Sequence, residues 1–457
     1  MDNIFFLSCI LPLALVLHWV IPWMKGKNVV LLLVSLVFYA FSGLTGLLLL
    51  LGAAVVNYLL GLVLKTKFRK IAMIAGVALD IGFLCAFKYL DFILGDILGL
   101  AHLQPGLIAP LGISFFVFKC ISYLVDGYRD EGQVTGNFGK LLLYISFFPQ
   151  ITMGPITRFN EFEPQLKERT LSLDQTALGL RRFAAGLGKK ILIAGTLASV
   201  VDGVFAMEAV DIRLAWVGAI AYCLQLYFDF SGYIDMVIGL GVALGFATRE
   251  NFNYPYIAST VGDFWRRWHM SLSTWFKDYL YIPLGGNRKG QLRAGINKCI
   301  VFLLCGLWHG AAWTFIIWGL WHGLFSLLES LNVIPAKRLQ KSRVLGHVYT
   351  LLVVCIGFVM FRSGTVAQGA QIIGAMFAGF KLTAAGTVEL HKLLNAETVL
   401  MLVTGLVLSM PVSPKLLDSE AGELMDKLAY IGAVVVFVLS VLKLAAGDFA
   451  PSIYAQF

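Results

Sequence analysis

Two strings carry the residue types most costly to place in an apolar chain: TVGDFWRRWHMSLSTWFKDYLYIPLGGNRKG, which holds His269, and CGLWHGAAWTFIIWGLWHG, which holds His309 and His322. The stretch from Thr260 to Gly323 contains three of the seven histidines and seven of the ten tryptophans. An ionisable side chain at membrane depth is expensive, so its presence points to function. His309 lies 11 residues beyond Lys298 in an apolar run from Cys299 to Leu328. That is a rise of roughly 16 Å along a helix, near the middle of a hydrocarbon core about 30 Å thick. A neutral imidazole there can accept a proton at physiological pH, the property of a general base. His322, 13 residues further on, is expected to pack or hydrogen-bond. A haem reading would need a second intramembrane helix with a matching pair of histidines, which the chain does not offer. No HExxH or paired ExxH supports a metal centre, and none is expected.

Around His269, Thr260 and Asp263 read as the N-cap and capping box of a helix. One face would carry Trp265, Trp268, Leu272, Trp275, Phe276 and Tyr279; the other would carry Arg266, His269, Ser273 and Lys277. An ordinary interfacial helix, with tryptophans at headgroup level and a solvated histidine, has the same pattern. PLGGNRKG then predicts a tight loop that presents backbone N–H groups beside Asn287, Arg288 and Lys289. With Arg266, these residues could hold an anionic donor such as a nucleotide thioester. Topology also accounts for them, because seven basic residues against two acidic ones between Gly262 and Lys298 mark a cytoplasmic loop.

The elements that must position these groups are membrane helices. With 58% hydrophobic and 14% charged residues over 457 positions, the chain cannot hide its apolar surface in a soluble core, and an all-α polytopic membrane protein follows. The net charge of +9 resides in short loops between apolar runs, so it reports topology and no nucleic-acid partner is expected. Seven scattered cysteines without CxxC spacing read as small hydrophobes.

Spans are expected at 4–24, 29–42, 47–64, 71–94, 107–125, 140–153, 191–205, 216–245, 345–361, 399–412 and 430–444, with an amphipathic helix at 176–190 lying in the inner interface and an ambiguous segment at 362–396. About ten to twelve membrane-embedded helices result. Lys88 and Asp91 are spaced to pair. Asp229 and Asp235, in YFDFSGYIDM, are carboxylates at membrane depth, either neutral or hydrogen-bonded in the bundle or part of a site. The run 299–328 is roughly 45 Å long as one helix, so an even number of crossings or a re-entrant hairpin is favoured, broken at Gly306, Gly310 or Gly319. Clustered lysines and arginines place Lys65–Lys70, Arg266–Lys298 and Lys337–Arg343 in the cytoplasm and the N-terminus outside.

At these residues the chain resembles the membrane-bound O-acyltransferase family. The strings quoted above, with APLGISFFVFKCISYLVDGYR and GPITRF, resemble its bacterial branch, which holds the alginate O-acetylation membrane protein and the peptidoglycan O-acetyltransferase. The likeness spans roughly Pro110 to Gly323 and, more weakly, the hydrophobic N-terminal third. It implies a single integral membrane acyltransferase domain with an N-terminal bundle (1–106), a catalytic core (107–330) and C-terminal helices (331–457). The core would be thinned, with re-entrant segments, inside a ring of spanning helices.

From the residues themselves, Arg266, Asn287, Arg288 and Lys289 are candidates to hold the donor and Trp308, Asp229, Asp235 and His322 candidates for core support; the resemblance carries the family's catalytic histidine onto His309 and its second active-site histidine onto His269. It further implies acetyl-CoA as donor substrate, no permanently bound cofactor, and a polysaccharide acceptor reached through an extracytoplasmic partner acetyltransferase or directly. A bacterial cytoplasmic (inner) membrane is the implied location. D-alanyl transfer to teichoic acid and secondary transport are the competing readings; a transporter is expected to show internal repeats with paired broken helices, and none is visible.

Overall fold

The computed structural model describes residues 1, 3–412 and 422–447, and all regular structure among them is helical. By length and composition six helices among the described residues can cross a bilayer: α3 (Leu44–Val63), α4 (Arg69–Lys88), α8 (Leu173–Phe205), α9 (Ile212–Ala243), α14 (Arg343–Arg362) and α18 (Gly422–Ala445). A seventh is the pair α16 (Ala384–Leu393) and α17 (Ala396–Leu408), bent by 71°. The expected ten to twelve embedded helices are reached only by including shorter apolar ones, such as α1 (Phe6–Val20) and α15 (Val366–Ala378). The chain is an all-α polytopic membrane protein of two compact units, one formed by Met1–Phe183 with Val237–Arg249 and the other by Ala184–Met236 with Glu250 onward.

In the first unit, α2 (Met24–Ala40) and α3 form the expected hairpin, turning at Gly43 with φ +119°. One helix starts later, and another ends earlier, than hydropathy suggests. α5 (Ile113–Arg129) starts after Pro110 and Gly112, and α6 (Phe138–Ser146) stops before Pro149, leaving 147–157 irregular. Backbone freed at such depth must be bonded within the protein. Buried Lys119 donates to Tyr144 O (2.9 Å), the Tyr144 hydroxyl donates to Thr157 O (2.9 Å), and Phe148 N–H donates to Ser35 Oγ (3.1 Å). A short helix, α7 (Phe159–Lys167), follows. The anticipated Lys88–Asp91 pairing gives way to other bonds: Lys88 reaches Ser114 Oγ (3.2 Å), and Asp91 accepts from Gly106 N–H (3.3 Å).

The amphipathic stretch 176–190 does not lie separately at an interface. It is continuous with the following span in α8, 33 residues long and largely buried. Glycine makes that burial possible, because a Cβ at Gly179 would stand 2.4 Å from Gly239 O in the first unit, and one at Gly186 2.5 Å from Gly232 O in the second. The segment 362–396 forms α15 and α16.

In the second unit, the apolar run after Lys298 folds into two antiparallel helices, α12 (Gly290–His309) and α13 (Trp313–Ser330). The break falls at Gly310. Gly306 and Gly319 do not break the helix; they let the arms touch, since a Cβ on Gly306 would meet Phe315 O at 2.3 Å and one on Gly319 would meet Phe302 O at 2.5 Å. Helix α14 packs on α13, and Trp321 Nε1 donates to Val353 O (2.8 Å).

Candidate active site

His269 is not on a continuous helix. Thr260 caps α10 (Val261–Arg267), its hydroxyl accepting from Asp263 N–H (3.1 Å). The Asp263 carboxylate turns instead to Arg266 (3.3 Å) and Arg267 (3.0 Å). The chain then kinks and restarts as α11 (Met270–Phe276). His269 occupies the kink with φ +45°, ψ +56°, a left-handed conformation rare outside glycine, and is 2% exposed. Such geometry persists only where the surroundings over-determine it. Here they are the buried segment around Asn251. Its carbonyl accepts from Met270 N–H (2.9 Å), its Oδ1 accepts from Ser271 N–H (2.9 Å), and its side chain meets His269 Nδ1 at 3.2–3.3 Å. Phe230 stands perpendicular to the imidazole at 4.8 Å. The other ring nitrogen, Nε2, is buried and has no hydrogen-bond partner among the described residues. The continuous helical face expected for Arg266 and His269 is therefore corrected, and the solvated-histidine alternative does not hold: Arg266 is exposed, whereas the kink leaves His269 buried.

His309 ends α12 at the hairpin break and is 5% exposed. Aromatic rings fence it in: Trp308 at 5.0 Å, Trp318 from α13 at 5.2 Å and Phe361 from α14 at 5.1 Å. Trp308 also faces His269, with ring centroids 6.3 Å apart.

A cavity of about 580 Å³ joins the two histidines. His269 and His309 both line it, with Arg266, Lys277, Lys298 and Glu329. Glu329, near the end of α13, ties this assembly together by accepting from Val261 N–H (2.7 Å), Gly262 N–H (2.9 Å) and the Tyr349 hydroxyl (3.2 Å). A carboxylate at a helix N-terminus is favourably placed against otherwise unbonded N–H groups. The arrangement offers two buried imidazoles on one cavity and cations for an anionic substrate.

The remaining sequence candidates divide. Lys298 lines a second cavity of about 290 Å³ together with Asn287, whose Oδ1 accepts from the Tyr281 hydroxyl. Arg288 and Lys289 are exposed on the adjoining loop and line neither cavity. That loop turns on Gly285 (φ +108°) and Gly286 (φ +54°) as the glycine pair suggests, but its N–H groups are consumed internally: Gly285 bonds Ile282 O, Gly286 bonds Tyr281 O and Arg288 bonds Gly285 O. These three N–H groups are therefore not presented to a ligand.

Asp229 and Asp235 face away from this chemistry into α8. A π-helical turn at Lys189–Ala194 lets consecutive lysines reach both, Lys190 pairing with Asp229 and Lys189 with Asp235 (2.6 Å). His322 is fully buried against Trp265 (4.8 Å) and Trp318 (5.2 Å), with neither ring nitrogen hydrogen-bonded among the described residues. It packs behind the cavity without lining it.

Sequence reasoning missed Asn251, Glu329 and Lys298. A lone acid closing a 30-residue apolar run was a readable signal for Glu329. Asn251 gave none, since its role depends on a contact between segments 18 residues apart.

A family model described as MBOAT, membrane-bound O-acyltransferase family, matches residues 115–364. The chain is 37% identical, over 99% of itself and 99% of the relative, to a Pseudomonas putida protein named "Probable alginate O-acetylase AlgI". It is 36% identical to the peptidoglycan O-acetyltransferase of Helicobacter pylori, over 76% of this chain and 73% of that one. Its identity to the teichoic acid D-alanyltransferase of Bacillus subtilis is 30%, over 57% and 72%.

Proposed function

Because the chain belongs to the membrane-bound O-acyltransferase family, we propose that it moves an acetyl group from cytoplasmic acetyl-CoA to a hydroxyl beyond the membrane, on an extracytoplasmic polysaccharide or on a partner acetyltransferase that passes it on. The observation that carries this reading is the single cavity lined by His269, His309 and three cations. Arg266, Lys277 and Lys298 suit the phosphates of the donor, with Asn287, Arg288 and Lys289 contributing from the neighbouring loop. His309 takes the proton of the acceptor hydroxyl as its oxygen attacks the thioester carbonyl. The C–S bond then breaks, and the thiolate recovers the proton from the imidazolium. If Asn251 Nδ2 donates to His269 Nδ1, the tautomer carries its proton on Nε2, where it stabilises the carbonyl oxygen as charge develops. Trp308, Trp318 and Phe361 exclude water, which would otherwise compete as acceptor.

Acetyl is favoured over D-alanyl because the alginate and peptidoglycan relatives match more of this chain, at higher identity, than the D-alanyltransferase does. The ion pairing of Asp229 and Asp235 argues against the transporter reading, which needs carboxylates free to exchange partners. The enzyme would reside in a bacterial cytoplasmic membrane with its N-terminus outside.

The test is glycan acetylation in a deletion strain complemented with single variants, with membrane levels of each protein measured alongside. His309→Ala should lose about 10²–10⁴-fold, the usual contribution of a general base. Normal acetylation by a well-expressed His309→Ala protein would refute the mechanism.

A further inference from the structure

The first unit contains a cavity of about 700 Å³ that the acyl-transfer chemistry does not use. It lies among α2, α6 and α7, which pack on one another. Val29, Leu32, Leu143 and Leu166 form its apolar wall, and Lys25, Lys140 and Lys167 its basic rim. The cations outnumber their partners. Glu163 serves both Lys140 (2.6 Å) and Lys167 (3.2 Å), while Lys25 has no hydrogen-bond or ion-pair partner among the described residues. Just behind the rim, Arg169 holds Asn28 Oδ1 (2.8 Å) and Lys27 holds His18 O (2.6 Å), each without a carboxylate among the described residues. Two of the Arg169 guanidinium nitrogens, Nε and Nη2, are buried without a hydrogen-bond partner.

A basic cavity of this kind calls for an anion, and its walls specify which. A soluble phosphate ester needs no apolar surface, yet the wall continues onto Val29, Leu33 and Val37, spaced one turn apart on α2 and all more than half exposed. Trp23 stands at the mouth, 62% exposed, as tryptophan does at the headgroup level of a bilayer. The α2–α3 hairpin also brings Lys25 and the Lys65–Lys70 cluster to the same end of the unit, the basic end that faces anionic lipid. We propose that this cavity binds an anionic glycerophospholipid, its phosphate held by Lys25, Lys140 and Lys167 and one acyl chain laid along Val29, Leu32, Leu143 and Leu166.

The test is native mass spectrometry of the purified full chain in micelles containing equal phosphatidylglycerol and phosphatidylcholine. The wild-type chain should retain phosphatidylglycerol preferentially, and Lys25→Ala/Lys167→Ala should lower its retention about five-fold or more, as expected for lysines beside anionic headgroups. Both lysines are exposed, so the fold should tolerate the change. The charge-matched control Lys65→Ala/Lys67→Ala, outside the cavity, should retain the lipid as the wild type does. Equal retention of the two lipids, undiminished retention by the cavity variant, or an equal loss in the control would overturn the proposal. Displacement of the lipid by free glycerol 1-phosphate would overturn the assignment to a lipid in favour of a soluble phosphate ester.

Discussion

Replacing Asn251 by Ala tests whether the kink at His269 is built for catalysis. The substitution removes the side-chain contact to His269 Nδ1 and the acceptor for Ser271 N–H, while the bond from Met270 N–H to the Asn251 carbonyl can remain. Leaving a buried donor without its acceptor costs about 1–3 kcal/mol, and the left-handed backbone of His269 stores a comparable strain of about 1–3 kcal/mol that these bonds help to offset. The folded protein should therefore lose about 1–3 kcal/mol of stability. Catalysis should suffer separately. An imidazole free to rotate forfeits an orienting hydrogen bond between neutral groups of about 0.5–1.5 kcal/mol, equivalent to roughly 2–10-fold in rate at 1.36 kcal/mol per decade. The assay is acetyl transfer from radiolabelled acetyl-CoA by the full chain in nanodiscs, normalised to folded protein. Because Asn251 acts through His269, the double variant Asn251→Ala/His269→Ala should be no slower than His269→Ala alone. Activity of Asn251→Ala within two-fold of wild type, or effects that multiply in the double variant, would refute the argument.

Three further outcomes are expected. Gly319→Leu should separate the arms of the hairpin, since its first added carbon would already meet Phe302 O at 2.5 Å; lower membrane levels and lost activity should appear together, and normal levels would contradict the packing. Asp229→Ala should destabilise by about 3–5 kcal/mol by breaking the buried ion pair with Lys190, with Lys190→Met/Asp229→Leu recovering most of that loss in thermal unfolding; normal stability of the single variant would show that the pair is not structural. Single cysteines at Arg288 and Lys337, in a background cleared of native thiols, should resist impermeant reagents applied from outside intact cells, and labelling at Arg288 would reverse the side assigned to the donor.

Class, helix positions and the two central strings were legible along the chain because they depend on local quantities. Apolar runs long enough to span, glycines that permit a turn and basic loops are one-dimensional signals. The doubling back of 299–328 was readable for the same reason, from its excess length over a bilayer. What the linear pattern could not show was direction. Helical spacing predicted His269 beside Arg266 on one polar helix face, and a left-handed residue at position 269 broke that face and turned the imidazole inward. That conformation is imposed by Asn251, whose contacts no periodicity encodes. Asp229 and Asp235 looked equally fit for a site or for packing until α8 presented two adjacent lysines to them through its π-helical turn. His309 and His322, one string in sequence, parted when the chain doubled back: one entered the cavity and the other packed behind Trp318. Local hydrophobicity therefore determined which residues are embedded, whereas the closing of tertiary contacts at glycine crossings and one strained backbone decided which of them face a common space.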